Sequence, residues 1–431
     1  MEKMAVSDYR QSIDYLFGLQ KFGIKFGLNS TENILAQVGS PHRKLRCIHI
    51  GGTNGKGSTA AMLSSILKQH GFKVGLYTSP HLVRFTERFR INDEEASSER
   101  ILDVFERIRG VLDDREPPTF FEVVTAMGFL YFVEEEVDWA IIEVGMGGRL
   151  DATNVIEPKV SIITNVAYDH QEYLGNTLSA IAREKAGIIK EKTPVITGAR
   201  QPVVVGVLKA TSSKHHAPLF RLGTDFRVRR NTEGGSFQYQ GLRRRWPSLE
   251  VNLIGPHQAG NAAMALAALE VLEKEGELAI DPAAVERGLC NVYWPARLEV
   301  LEKDPLIVLD GAHNPPGAES LRDSLKNCFK YRHLHLVIGI MADKDIRGIL
   351  RRLLPLAETA IFTQPRYTRA ANPENLRRLA RPYIQKHYVI PDLASAIQQA
   401  KQLAGPDDLI CITGSLYFAG EVKELFGERT E

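Results

Sequence analysis

The sequence predicts an α/β protein of two domains: a P-loop domain with a mostly parallel sheet plus a small antiparallel appendage, then a Rossmann-like α/β C-terminal domain. Three observations lead there. Short β-branched runs alternate with helically spaced segments along most of the chain. A glycine-rich loop, Gly51-Gly52-Thr53-Asn54-Gly55-Lys56-Gly57-Ser58-Thr59, follows the apolar run at 45–50 and precedes an amphipathic segment. The chain, at 431 residues, is too long for one ordinary core. The division is placed between residues 1–294 and 295–431.

In the first domain, residues 45–50, 73–77, 138–144 and 159–164 read as buried parallel strands. Residues 57–70, 97–112, 119–135 and 177–190 carry helical spacing. Between about 217 and 254 the texture changes to alternating, turn-punctuated residues such as Phe226-Arg227-Val228-Arg229, the antiparallel appendage. Helices return at 258–274 and 282–290, and Asn291-Val292-Tyr293-Trp294-Pro295-Ala296 reads as a linker. A second alternation follows, with strands at 298–302, 306–309, 334–340, 358–363 and 408–412.

The loop is where chemistry concentrates. Glycines let backbone N–H groups converge on a polyphosphate, the following helix N-terminus adds partial positive charge, and the Lys56 ammonium neutralises outer phosphates. The strict G-x-x-x-x-G-K-[ST] pattern is not met, because Gly57 separates Lys56 from the Ser58 hydroxyl. A generic nucleotide hydrolase is therefore a poorer fit. Fifty-four basic against 52 acidic residues leave a net charge of +2, which argues against a large surface for nucleic acid or anionic membrane. Cys47, Cys290, Cys328 and Cys411 lie far apart without C-x-x-C spacing, and read as buried reduced thiols of a cytoplasmic protein. No apolar signal core or membrane-length run is present in the sequence.

Thr53-Asn54-Gly55-Lys56-Gly57-Ser58 resembles the loop of the Mur ligase superfamily, and in particular its folate branch. Further matches occur in that family's order: Tyr77-Thr78-Ser79-Pro80-His81-Leu82, Thr119-Phe120-Phe121-Glu122, the run from Glu143 to Asn154 containing Gly145-Met146-Gly147-Gly148-Arg149, Asp169-His170, Glu184-Lys185-Ala186-Gly187, His257-Gln258 with Asn261, and Leu309-Asp310-Gly311-Ala312-His313-Asn314-Pro315. The resemblance spans nearly the whole chain. It implies an ATPase domain and a C-terminal domain with the active site in the cleft between them.

Carried over residue by residue, the resemblance implies a nucleotide site of Thr53, Asn54, Gly55, Lys56, Gly57, Ser58, Asn261, Arg297 and Asp310. It implies Mg2+ ligation by Ser79, Glu143 and His170, with a monovalent cation as a further candidate, and it makes Lys185 a carbamylated lysine. Lys56, Lys185 and His313 are the catalytic candidates. His313 would orient the incoming amino acid or the acyl phosphate, although the neighbouring Asn314-Pro315 helix cap equally explains it. Phe26, Gly27, Leu28, Thr119, Phe120, Phe121, Glu122, Leu150, Asp151 and Ala152 match pterin-contacting positions. Phe120 and Phe121 also fit the core face of a helix, since successive residues point to different sides.

The activity implied is ATP-dependent amide-bond formation between L-glutamate and two acceptors, dihydropteroate and reduced folates, through an acyl phosphate. The alternatives are extension of folates alone, a Mur ligase acting on a cell-wall precursor, and a non-enzymatic nucleotide switch. Neither a nucleic-acid nor a membrane partner is expected, and the protein is expected to be a monomer. Two positions depart from the family's pattern: Asp93 and Ala296 stand where glycine is common, which touches turns more than chemistry.

Overall fold

The computed structural model describes residues 2–23, 27–113, 115–231 and 235–428. Two compact units emerge: Met1–His81 with Phe85–Val251 and Ala259–Val292, and Leu82–Arg84 with Asn252–Gln258 and Tyr293–Glu431.

In the first unit, chain order runs α1 (Glu2–Gly18), α2 (Asn29–Gln37), β1 (Cys47–Gly51), α3 (Lys56–Gln69), β2 (Val74–Tyr77), β3 (Phe89–Ile91), β4 (Glu94–Glu95), α4 (Ser98–Arg109), α5 (Phe120–Glu134), β5 (Trp139–Glu143), β6 (Val160–Ile163), α6 (Gln171–Leu174), α7 (Leu178–Ala186), β7 (Val195–Thr197), α8 (Pro202–Lys214) and β8 (Leu219–Arg221). The small strands β9 (Arg227–Arg230), β10 (Phe237–Gln240) and β11 (Arg245–Leu249) and the helices α9 (Gln258–Lys274) and α10 (Pro282–Asn291) complete it.

The main sheet has the order β4-β3-β2-β5-β1-β6-β7-β8 and is parallel from β2 to β8. Its central strands are buried along their whole length, which is why Cys47-Ile48-His49-Ile50 and Trp139-Ala140-Ile141-Ile142 are nearly all apolar instead of alternating. The α5 helix is buried almost all round and correspondingly lacks a polar face. Pairing sets Ile50 beside Glu143 and Gly51 beside Ile163, so the loops leaving β1, β5 and β6 emerge side by side at the carboxyl edge of the sheet.

The second unit contains β12 (Glu299–Lys303), β13 (Leu306–Asp310), α11 (Pro315–Cys328), β14 (Leu334–Ile338), α12 (Ile346–Leu353), β15 (Thr359–Phe362), α13 (Pro373–Ala380), β16 (His387–Val389), α14 (Leu393–Leu403), β17 (Leu409–Thr413) and α15 (Leu416–Leu425). Its sheet order is β12-β13-β17-β14-β15-β16, parallel except for β12.

Several expectations need correction. The helix expected over 177–190 stops at Ala186. The expected appendage is shorter than 217–254, because Leu219–Arg221 pairs with β7 and belongs to the main sheet. Its antiparallel part is β9-β10-β11. Two of the four thiols, Cys290 and Cys328, are exposed, since both fall on the solvent side of a helix end, while Cys47 and Cys411 are buried in central strands. No helix among the described residues is long and apolar enough to cross a membrane.

Candidate active site

The loop between β1 and α3 is shaped by the polar ends of its neighbours. Gly52 has φ +141°, and a Cβ there would lie 1.9 Å from Thr164 Oγ1, so no side chain fits. Thr164 Oγ1 donates to the Asn54 carbonyl at 2.7 Å, and the Asn165 amide brackets Asn54, accepting from its N–H at 3.0 Å and donating to its carbonyl at 2.9 Å. Thr53 Oγ1 accepts from the Ala167 N–H at 3.0 Å. The loop is thereby locked before any ligand arrives. Gly55, at φ +85°, caps α3, and the Asn261 amide of α9 stands directly over it.

Two lysines converge on this loop. The Lys56 ammonium donates to the Gly52 and Thr53 carbonyls at 3.3 and 3.4 Å and lies 4.0 Å from Glu143 Oε1. Lys185, on α7 and buried, donates to the same Gly52 carbonyl at 2.9 Å. Burial, and then repulsion from Lys56, lowers the Lys185 pKa to about 7, with Asp169 and Asp151 opposing. A buried amine that is substantially neutral near pH 7 has the chemistry that a carbamylated lysine requires.

Glu143 closes β5 and is 6 % exposed, with Oε2 accepting the Ser79 N–H at 3.3 Å. His170 has a left-handed backbone, φ +50°, and its Nε2 lies 3.8 Å from the Asp169 carboxylate. Among the described residues no group of three or more His, Cys, Asp or Glu side chains is arranged so as to hold a metal ion by itself. A carboxylate and a seryl residue at adjoining strand ends, with water completing the shell, nonetheless suit Mg2+, which dehydrates reluctantly and takes few protein ligands. The donor set therefore fits that ion.

Of the pterin candidates, Phe26 lies outside the described residues, and Gly27 and Leu28 are half-buried just before α2. Thr119 and Glu122 close a capping box at the start of α5, Thr119 N–H donating to Glu122 Oε2 at 2.6 Å, so their polar atoms are engaged by the helix. Phe120 is half-buried and stacks on Phe17 at 5.6 Å, with the Arg88 guanidinium 5.2 Å from its ring. Phe121 sets the tip of its ring against Gly145, where a Cβ would come within 2.4 Å of Cζ. Leu150 is half-buried and Ala152 buried. The Asp151 carboxylate accepts from the Met146 N–H at 2.8 Å, the Thr153 N–H at 3.1 Å and the Thr153 hydroxyl at 2.5 Å. It holds the glycine-arginine loop in shape.

In the second unit, Asp310 ends β13 and accepts from the Leu298 and Ala312 N–H groups at 3.1 and 2.9 Å. Arg297 bonds the Ala296 carbonyl at 2.9 Å, and its charge acts on both Asp310 and His257. Burial, then Arg297, lowers the His257 pKa to about 4. His313 Nδ1 lies 2.9 Å from the Gly311 carbonyl, and Asn314 caps α11 by accepting from the Gly317 N–H.

Sequence reasoning passed over Thr164 and Asn165, the buttress of the loop, and gave Asp169 no role. The signal was available: Val160-Ser161-Ile162-Ile163-Thr164-Asn165 turns from apolar to hydrogen-bonding side chains where a central strand ends.

A phosphate-type loop at the carboxyl edge of a parallel sheet, followed by a separate Rossmann-like unit, is the architecture of a nucleotide-dependent ligase. The family models agree: the Mur ligase middle domain matches residues 50–269, and the Mur ligase, glutamate ligase domain matches 296–416. The chain belongs to the Mur ligase family of ATP-dependent ligases. A dihydrofolate synthase/folylpolyglutamate synthase of Bacillus subtilis (strain 168) is 36% identical over 426 residues, covering 96% of this chain and 98% of the relative. A folylpolyglutamate synthase of Lacticaseibacillus casei is likewise 36% identical over 426 residues, covering 97% and 98%. The crystal structure of Mycobacterium tuberculosis folylpolyglutamate synthase complexed with ADP and AMPPCP superposes with a TM-score of 0.93 at 34% identity, covering 99% of this chain and 100% of that one.

Proposed function

We propose that this chain joins the amino group of L-glutamate to the carboxylate of dihydropteroate and to the glutamate tail of reduced folates, driven by ATP. A carboxylate offers an amine no leaving group. Transfer of the γ-phosphoryl group to a carboxylate oxygen yields ADP and an acyl phosphate. Attack by the glutamate amine forms a tetrahedral intermediate, which expels inorganic phosphate as the nitrogen loses its proton, leaving an amide.

The observation that carries this reading is the convergence of the Lys56 and Lys185 side-chain amines on the single Gly52 carbonyl, beside the Glu143 carboxylate. The Lys56 cation suits an anion, and its repulsion helps to keep the buried Lys185 amine neutral. Lys56 and the loop N–H groups would bind the phosphates, with Thr53, Asn54, Gly55, Gly57 and Ser58 shaping the cradle and Asn261 reading the adenine edge. Arg297 would reach phosphate and Asp310 accept from ribose hydroxyls. Ser79, Glu143 and His170 would hold Mg2+, which supplies charge neutralisation of the phosphoryl oxygens. Neutral Lys185 would take up carbon dioxide, its nitrogen forming the C–N bond and releasing one proton, to become an anion. Phe120, stacked on Phe17, would offer an aromatic contact to a pterin ring, with Leu28 and Leu150 as apolar members of the proposed site and Asp151 positioning its loop. His313 would orient the amino acid.

A second reading, extension of folates alone, has support in that the two relatives with single and double names are equally similar to this chain. Incubation with ATP, Mg2+ and L-glutamate, offering dihydropteroate and a reduced folate in separate reactions, decides between them. Product from both acceptors supports the first reading. Product from the folate alone supports the second, and product from neither refutes both.

A further inference from the structure

The turn that carries Arg297 is held by a polar network that no phosphate-binding role explains. Ala296 and Leu298, on either side of Arg297, both adopt left-handed backbone conformations, at φ +53° and +50°, which non-glycine residues rarely occupy. Both are buried. Such a turn persists only where its surroundings over-determine it. Glu299 supplies one side of that restraint: its Oε2 accepts the Ala296 N–H at 2.8 Å, while its Oε1 accepts the Tyr293 hydroxyl at 2.6 Å. Lys423, on α15 and only 4 % exposed, donates to the same Oε1 at 2.7 Å, to the Tyr293 hydroxyl at 3.3 Å, and pairs with Glu428 at 2.6 Å. The other side is Asp310, which accepts from Leu298 N–H. The backbone on either side of Arg297 is thus held by two clamps, Asp310 from β13 and Glu299 from β12 backed by Lys423 of the C-terminal helix.

We infer that Glu299 and Lys423 are positioning residues for Arg297: the pair of buried Lys423 and half-buried Glu299 enforces the left-handed turn and thereby fixes where the guanidinium meets a nucleotide phosphate. This rests on the reading of Arg297 as a phosphate contact. Lys423 itself is spent on Glu299, Tyr293 and Glu428, so its effect reaches the nucleotide through the turn. A pair this far removed from water contributes geometry more than net stability, because the desolvation of its charges offsets their attraction.

The test is a double-mutant cycle on nucleotide affinity and ATP KM, using Arg297→Ala, Lys423→Met and the pair, with Lys423→Arg and Glu299→Gln as milder variants. Lys423→Met is expected to weaken nucleotide binding and raise the ATP KM by about tenfold, to leave the glutamate KM within about twofold, and to have no further effect once Arg297 is alanine. Lys423→Arg should recover most of the loss. Should Lys423→Met fail to fold, Glu299→Gln and Tyr293→Phe, which keep size and packing, carry the same cycle. Full additivity of the two substitutions, or equal loss on ATP and glutamate, overturns the inference while leaving Arg297 as a phosphate contact. Unchanged affinity in Arg297→Ala instead removes the reading of Arg297, and the inference with it.

Discussion

The loop after β1 and the turn before β12 solve the same problem in opposite ways. Each presents one cationic side chain, Lys56 or Arg297, from backbone in an unusual conformation. In the loop the positive-φ positions are glycines, Gly52 and Gly55, and the polar brackets come from strand-end residues, Thr164 and Asn165. In the turn they are Ala296 and Leu298, and the Glu299–Lys423 ion pair and the Asp310 carboxylate impose what glycine would have allowed freely. The contrast separates two uses of rigidity. Glycine makes a shape accessible and lets backbone N–H groups reach a ligand; a side-chain network makes a costly shape obligatory, at roughly 1–2 kcal/mol of local strain for each left-handed non-glycine residue.

The largest effect should come from Lys56→Ala, which removes the loop's charge and leaves its backbone alone. Turnover on either acceptor should fall by about 10²–10³-fold while the thermal midpoint moves little, as kinetics beside a melting curve will show. Retention of near-normal turnover would separate the loop from phosphate altogether.

Gly52→Ala breaks the shape and keeps the charge. Its Cβ would meet Thr164 Oγ1, and displacement of the cradle by about 1 Å is expected to cost about hundredfold in turnover. Adding Thr164→Ala removes the clashing oxygen but also a bracket, so the double variant should recover only in part; full recovery would mean that Thr164 has no part in locking Asn54.

Much of this was legible in the chain. The loop, most strand positions and the second α/β unit follow from glycines, β-branched runs and the linker, because those signals are local; the order of the strands in each sheet does not. What was not legible is what depends on partners distant in sequence. Nothing near Lys185 announces that its amine bonds the Gly52 carbonyl, nor near Glu299 that Lys423 closes on it. The short edge strand at His387–Val389 has too few residues for periodicity to register. Ala296 and Asp93 were visible as departures from glycine, yet only the backbone reveals that both sit at positive φ.

Lys185 offers a smaller, pH-dependent effect. Its folded pKa, about 7, lies below the ordinary 10.5, so between those values the unfolded chain holds more protons. Stability therefore rises with pH across that window: the cost of a buried charge is complete below pH 7 and gone above pH 10.5. Urea denaturation in buffers freed of carbon dioxide should show this rise in the unmodified chain and its loss in Lys185→Met. The same slope in both would place the titration elsewhere.

The smallest effect sharpens the contrast from the other side. Ala296→Gly relieves left-handed strain but gives the unfolded chain more freedom, for a net stabilisation below about 1 kcal/mol. An unfolding midpoint shifted upward in urea, with an unchanged slope, is the expected result; a downward shift would mean that the alanine methyl packs better than the turn is strained.

The proposed chemistry as a whole is tested most directly by isotope transfer. Dihydropteroate labelled with 18O in its carboxylate is incubated with ATP, Mg2+ and L-glutamate, and both the amide product and the released phosphate are weighed by mass spectrometry. An acyl phosphate requires one labelled oxygen to pass into inorganic phosphate for each amide formed. Amide formation with unlabelled phosphate, or ATP hydrolysis without any amide, would contradict it.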